Sequence, residues 1–128
     1  MSGEIFAYAI LAILGLWYIR RMFAVRSITE YRPREVQEKM QTDRGMMLLD
    51  VRTEKEWSQN HIKGAHHIPL HELTRRSAEL EKHKNREIIC YCQSGNRSLT
   101  AALRLKRLGF SVAHMKGGLA DWNFSKLR

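Results

Sequence analysis

The chain has 128 residues, a net charge of +9 and two cysteines. That length suits one domain of ordinary size and is too short for two well-built ones. The basic residues are scattered (Arg20-Arg21, Arg75-Arg76, Arg104, Lys106-Arg107, Lys126, Arg128) with no Lys/Arg block interleaved with aromatics, so no nucleic-acid partner is expected. Two cysteines rule out a disulfide scaffold, and Cys90 and Cys92 sit too far apart on one strand for easy bridging, so two free thiols are expected.

Ile5 to Ile19, IFAYAILAILGLWYI, is apolar without interruption. Fifteen residues of helix reach only about 22 Å, short of a bilayer core. With Ser2-Gly3 before it and Met22 to Val25 after it, and with Arg20 and Arg21 snorkelling, the candidate grows to about 25 residues. Trp17 and Tyr18 lie beside the arginines, where an interfacial belt belongs. A cleaved signal peptide is disfavoured by the missing basic n-region, and an interfacial helix by the apolar character on all sides. The expectation is one transmembrane helix with its basic flank over 1–26, and a folded domain over 27–128. Positive charge on the C-terminal flank, against Glu4 alone on the other, places that domain in the cytoplasm on a single-pass inner-membrane anchor, with membrane contact through residues 5–25.

Beyond Arg26 helix and strand signals alternate. Ser27-Ile28-Thr29 reads as a short strand, and Pro33 to Gln41 as a helix with proline in its first turn, ended by Gly45. MMLLDV, Met46 to Val51, is a short buried strand. Thr53 to Glu56 has capping-box spacing and starts a short helix. Gly64 turns the chain into a strand over Ala65 to Ile68, stopped by Pro69. Leu70 to Leu80 holds one or two short helices, and Glu87 to Tyr91 is a strand. Arg97 to Leu108 is a helix offering Leu99, Ala102, Leu103 and Leu105 or Leu108 to the core. Val112 to Met115 is the last strand, and Gly117-Gly118 turns into a short helix through Trp122. Asn123 to Arg128 is a frayed tail. The alternation predicts an α/β domain with a central, mostly parallel sheet flanked by helices, and with its site at the carboxyl ends of the strands.

Cys92 lies at such an end. In CQSGNR, short side chains and a glycine let the backbone curl from the strand into a helix, so that successive amides converge. The helix start adds unpaired amides and a positive dipole end. A thiol in that bowl has a lowered pKa, and its thiolate, or a persulfide upon it, is stabilised. Nucleophilic sulfur chemistry at a part-exposed Cys92 follows, whereas Cys90, inside the strand, reads as a small hydrophobe. The bowl alone admits any small anion.

Four stretches resemble one family. MLLDVRTEKEW, HIKGAHHIPL, YCQSGNRS and GFSVAHMKGGLADW are similar, in order and spacing, to the motifs of single-domain rhodaneses over residues 27–123. The resemblance implies a rhodanese-like fold and a sulfurtransferase. Its active cysteine takes a sulfane sulfur from a small anionic donor such as thiosulfate, holds it as a persulfide, and gives it to cyanide or a thiol. Carried onto this sequence, Cys92 is catalytic. Gln93, Ser94, Gly95, Asn96 and Arg97 bind the substrate, and Arg97 holds the anion or ties the loop to the body. Asp50, Arg52 and Ser98 support the site; an ordinary surface ion pair is the competing account of Asp50 and Arg52. Six residues from Cys92 to Arg97 fit sulfur chemistry, since the phosphatase and arsenate-reductase branch uses a loop one residue longer. No cofactor is implied. His61, His66, His67 and His71 match no metal-ligand spacing and read as exposed loop histidines; Trp57 and Trp122 read as packing residues. A membrane-tethered persulfide carrier serving a protein partner is the alternative function.

Overall fold

The computed structural model describes residues 2–42 and 45–124. Its elements are α1 (Ser2–Arg26), β1 (Thr29–Tyr31), α2 (Pro33–Thr42), β2 (Met46–Asp50), α3 (Glu54–Gln59), β3 (His66–His67), α4 (Leu73–Arg76), β4 (Glu87–Tyr91), α5 (Asn96–Arg107) and β5 (Ser111–Met115). Short 3-10 turns flank α4, and another spans Gly118–Asp121. The five strands form one sheet in the order β1-β5-β4-β2-β3, and each pairing is parallel.

The period-two alternation of β4 sorts its side chains between the two faces. Ile88, Cys90 and Cys92 enter one core with Met47, Leu49, Ala101, Ala102 and Leu105, under α5 and α4. Ile89 and Tyr91 enter the other with Val36, Ile62, Leu119 and Trp122. Both faces of the central strands are covered, which is why β2 and β4 read as unbroken apolar runs.

Local signals placed most elements within a residue or two. Thr53 caps α3 and completes a capping box with Glu56. β1 lies two residues beyond its expected position, at Thr29–Tyr31, because Ile28 turns into the core while the next three residues pair with Ala113 to Met115. α5 begins at Asn96, one residue before the expected start, because Gly95 in left-handed conformation serves as its cap. Ala101 is buried in α5 whereas Leu108 is exposed, since it is the C-cap residue just past the helix end at Arg107. The expected end of α2 at Gly45 and the tail beyond Phe124 fall partly outside the described residues. Phe124 itself packs edge-on against Trp122.

α1 is one continuous helix of 25 residues with no buried side chain, long and apolar enough to cross a membrane. In its last turn Ala24 and Val25 pack against the core that α5 covers. Arg21 lies over the Trp17 ring at 5.9 Å, an apposition of cation and indole at the expected interfacial position.

Candidate active site

The carboxyl end of β4 runs into a tight loop that returns its amides to the sulfur. The Gly95 N–H donates to Cys92 Sγ at 3.0 Å, and the Ser98 hydroxyl lies 3.6 Å from the same atom. Gly95 has φ +106°, a left-handed conformation that a side chain would strain. From the far side, the segment after β5 supports the loop: the Leu119 N–H donates to the Cys92 carbonyl at 2.8 Å and the Ala120 N–H to that of Gln93 at 3.0 Å. Gly118 makes this approach possible. A Cβ there would collide with the Cys92 carbonyl oxygen and stand 2.7 Å from the Gln93 carbonyl carbon.

Cys92 is fully covered, not part-exposed as expected. The reason is the tightness of the curl: Gly95 above and Ser98 below close over the sulfur, while Gln93, Ser94 and Asn96 take the exposed rim. Enclosure has not turned the amides away. Burial pushes the thiol up, but hydrogen bonds from the Ser98 amide and hydroxyl and from the Gly95 and Ser94 amides outweigh it and hold Cys92 below the ordinary thiol value. Cys90, two residues earlier, has no such donors; burial, with the neighbouring Cys92 charge, pushes it up to about 12.

Arg97 does not reach into the bowl. Its guanidinium forks onto Glu56, Nη1 to Oε1 at 2.6 Å and Nη2 to Oε2 at 2.9 Å, so it ties the loop to α3. Arg97's two bonds are the main reason that Glu56 is held at about 2, below its ordinary 4.5; bonds from the Thr53 amide and hydroxyl add to them, and burial opposes. The folded protein therefore binds this proton less readily than the unfolded chain. The pair stabilises fully above about pH 4.5 and loses its effect as pH falls toward about 2. Wild-type protein should lose more thermal stability than Glu56→Gln over that acid range, with melting curves at stepped pH as the measurement. Equal losses would show that the pair adds nothing.

Asp50 and Arg52 are not a surface pair: their side chains are 0% and 1% exposed. Arg52 Nε meets both Asp50 oxygens at 3.1 and 3.0 Å, Nη2 meets Oδ2 at 2.9 Å, and the Arg52 amide donates to Oδ1 at 2.8 Å. The guanidinium also bonds the Asn60 carbonyl and reaches Gln93 Oε1 at 3.4 Å. One buried cation thus joins the end of β2, the end of α3 and the cysteine loop.

The histidines divide. His66 and His71 are exposed, but His61 and His67 are not loose loop residues: both stack on Trp57, with centroids 3.5 and 4.7 Å away, and His67 Nε2 lies 2.7 Å from the Arg52 carbonyl. Trp57 protrudes from a helix too short to bury it, and the flat imidazoles cover its ring. The sequence reading missed His114 and Glu30. His114 Nδ1 is 3.3 Å from Ser98 Oγ, and its Nε2 is 3.1 Å from Glu30 Oε1. No spacing in the sequence joins residues 84 positions apart; only the β1–β5 register, which sets Glu30 against His114, does so. An open groove of about 310 Å³ runs beside the loop, lined by Val51, Thr53, Leu70, His71, Arg97 and Arg104 among others.

A parallel α/β domain that presents a thiol in a ring of main-chain amides defines a class of sulfur-handling protein. The family model described as the rhodanese-like domain matches residues 32–125, and the chain belongs to that family. The thiosulfate sulfurtransferase PspE of Escherichia coli is 34% identical over 80 residues, 62% of this chain and 77% of that protein. YrkF of Bacillus subtilis, named a putative sulfur carrier protein, is 39% identical over 97 residues, 75% of this chain but 51% of its own length, so the chain spans about half of that relative. Among solved structures, a rhodanese-like domain protein from Staphylococcus aureus superposes with a TM-score of 0.73 at 23% identity, over 79% of this chain and 97% of that one, a likeness of fold. The relatives support a sulfurtransferase kind of reaction.

Proposed function

We propose that the protein is a sulfurtransferase that carries a sulfane sulfur on Cys92. The observation that carries this reading is the Gly95 amide 3.0 Å from a sulfur whose pKa is lowered in spite of burial. The Cys92 thiolate attacks the outer sulfur of a donor such as thiosulfate. A new S–S bond forms, the donor's S–S bond breaks, and sulfite leaves with its electron pair. The persulfide anion shares its charge with the amides of the loop from Gln93 to Arg97 and with the α5 dipole. Cyanide or a thiolate then attacks the outer sulfur and returns Cys92 as thiolate, which completes a two-step covalent cycle. Arg97 acts by tying the loop to Glu56, and Asp50 with Arg52 braces it through Gln93. His71 and Arg104 in the neighbouring groove favour an anionic donor. The test is intact mass: incubation of the full chain with thiosulfate adds one sulfur, and peptide mapping finds it on Cys92. No added sulfur, or sulfur on Cys90, overturns the proposal.

The apolar helix supports a second part of the reading. Residues 5–25 anchor the protein in the inner membrane, with the N-terminus outside and the domain facing the cytoplasm. Protease added to spheroplasts should spare the domain; digestion would refute this orientation. The likeness to YrkF favours one alternative, a tethered persulfide carrier for a protein partner. An enzyme of small molecules shows ping-pong turnover with thiosulfate, whereas a carrier is slow with it and fast with one protein.

A further inference from the structure

A thiol with no exposed surface still has to exchange its proton with water, and one line of contacts leads away from Cys92. Sγ lies 3.6 Å from Ser98 Oγ, Ser98 Oγ lies 3.3 Å from His114 Nδ1, and His114 Nε2 lies 3.1 Å from Glu30 Oε1. Ser98 and His114 are 0% and 5% exposed, while the Glu30 side chain, on edge strand β1, is 48% exposed. The line begins at a covered sulfur and ends at a carboxylate in water.

We propose that His114, supported by Glu30, takes the Cys92 proton and returns it through the Ser98 hydroxyl. The proposal rests on Cys92 being the working thiol. His114 and Glu30 touch no reacting atom; they are positioning residues for proton transfer.

The hydroxyl has one proton and three acceptors in reach: the Gly95 carbonyl at 2.9 Å, His114 Nδ1 and, once it is a thiolate, Cys92 Sγ. When it points to Nδ1, its oxygen is free to accept from the thiol. The S–H bond then breaks as a new O–H bond forms on Ser98, and the original Ser98 proton moves to Nδ1. The products are a thiolate and an imidazolium whose Nε2–H faces Glu30. The Nε2–H stays hydrogen-bonded to Glu30, which holds the imidazolium near the thiolate, and the reverse sequence reprotonates the sulfur. The groups around His114 suit this role. β1 contributes Glu30, β4 places Cys90 alongside, and α5 contributes Ser98. Burial lowers His114, with Glu30 partly offsetting it, so before the transfer the ring is neutral and able to accept. Cys90, pushed up to about 12, stays a thiol and does not compete.

The test is the pH profile of Cys92 alkylation by iodoacetamide, read by peptide mapping on the full chain in detergent. The thiolate and imidazolium titrate as a pair, so losing one displaces the other. His114→Gln should alkylate about tenfold more slowly than wild type near pH 6 and converge with it near pH 10, a displacement of about one pKa unit. Glu30→Gln should show the same convergence with a smaller loss, about threefold near pH 6, and decides alone should the buried variant fail to fold. Profiles that superimpose on wild type, or that fall by one constant factor at every pH, overturn the proposal. Mass gain from thiosulfate is scored separately on wild type. A gain with superimposed profiles rejects the relay and leaves sulfur transfer standing; displaced profiles without a gain keep the relay and reject sulfur transfer.

Discussion

A Cys92→Ser protein should lose sulfur transfer altogether, and a Cys90→Ala protein should keep most of it. The two thiols differ by two positions on one strand and share one face of the sheet. Their environments are opposite. Around Cys92 the Gly95, Ser94 and Ser98 donors favour the anion. Around Cys90 no such donors stabilise the anion, and burial, which pushes it up to about 12, leaves it a thiol near neutral pH. Serine keeps the shape of the loop but supplies an alkoxide precursor that does not ionise and cannot form a persulfide. The measurement is thiosulfate-dependent sulfur loading by intact mass together with thiocyanate release from cyanide. Retained loading in Cys92→Ser with loss in Cys90→Ala would reverse the assignment. Removing the Cys90 sulfur from a packed core should lower stability by about 1 kcal/mol, well within what the fold tolerates.

The second large effect is on stability. Asp50→Asn should destabilise the domain by about 3–5 kcal/mol, because it strands the Arg52 guanidinium, 1% exposed, without its counter-charge. Against a total of about 5–15 kcal/mol for a domain, that is enough to place the variant near unfolding. The Asn60 carbonyl and Gln93 amide would still hold the guanidinium, but neither bears charge. Because Arg52 links the end of β2 to the cysteine loop, sulfur loading should also fall before global unfolding. Urea titration gives the magnitude. A double change, Asp50→Leu with Arg52→Met, should recover part of the loss, since replacing both ions by apolar groups is often near neutral. A single variant within about 1 kcal/mol of wild type would remove the pair from the account of what braces the loop.

Legibility from sequence followed the range of the interaction. The capping box at Thr53–Glu56, the β4 strand over Glu87 to Tyr91 and the strand–loop–helix around Cys92 all rest on neighbours within about five residues, and all three stand in the fold. The misplacement of β1 has the opposite origin. Nothing local distinguishes Ser27 to Thr29 from Thr29 to Tyr31; pairing with β5 decides it. Glu56 was legible as a capping residue but not as the partner of Arg97, 41 positions away. Trp57 was legible as an aromatic that packs, but not as the platform for His61 and His67.

By itself the sequence determined the alternation of helix and strand, the amide-lined curl at Cys92 and an apolar N-terminal run, because hydrophobic period, turn chemistry and capping act between near neighbours. Tertiary structure alone decided that the thiol is enclosed, that Asp50 and Arg52 are buried together, that Arg97 grips Glu56, and that Glu30 lies against His114. Those outcomes depend on which strands lie side by side, and strand order comes from burying both faces of the whole sheet at once, a condition that no short stretch of chain encodes.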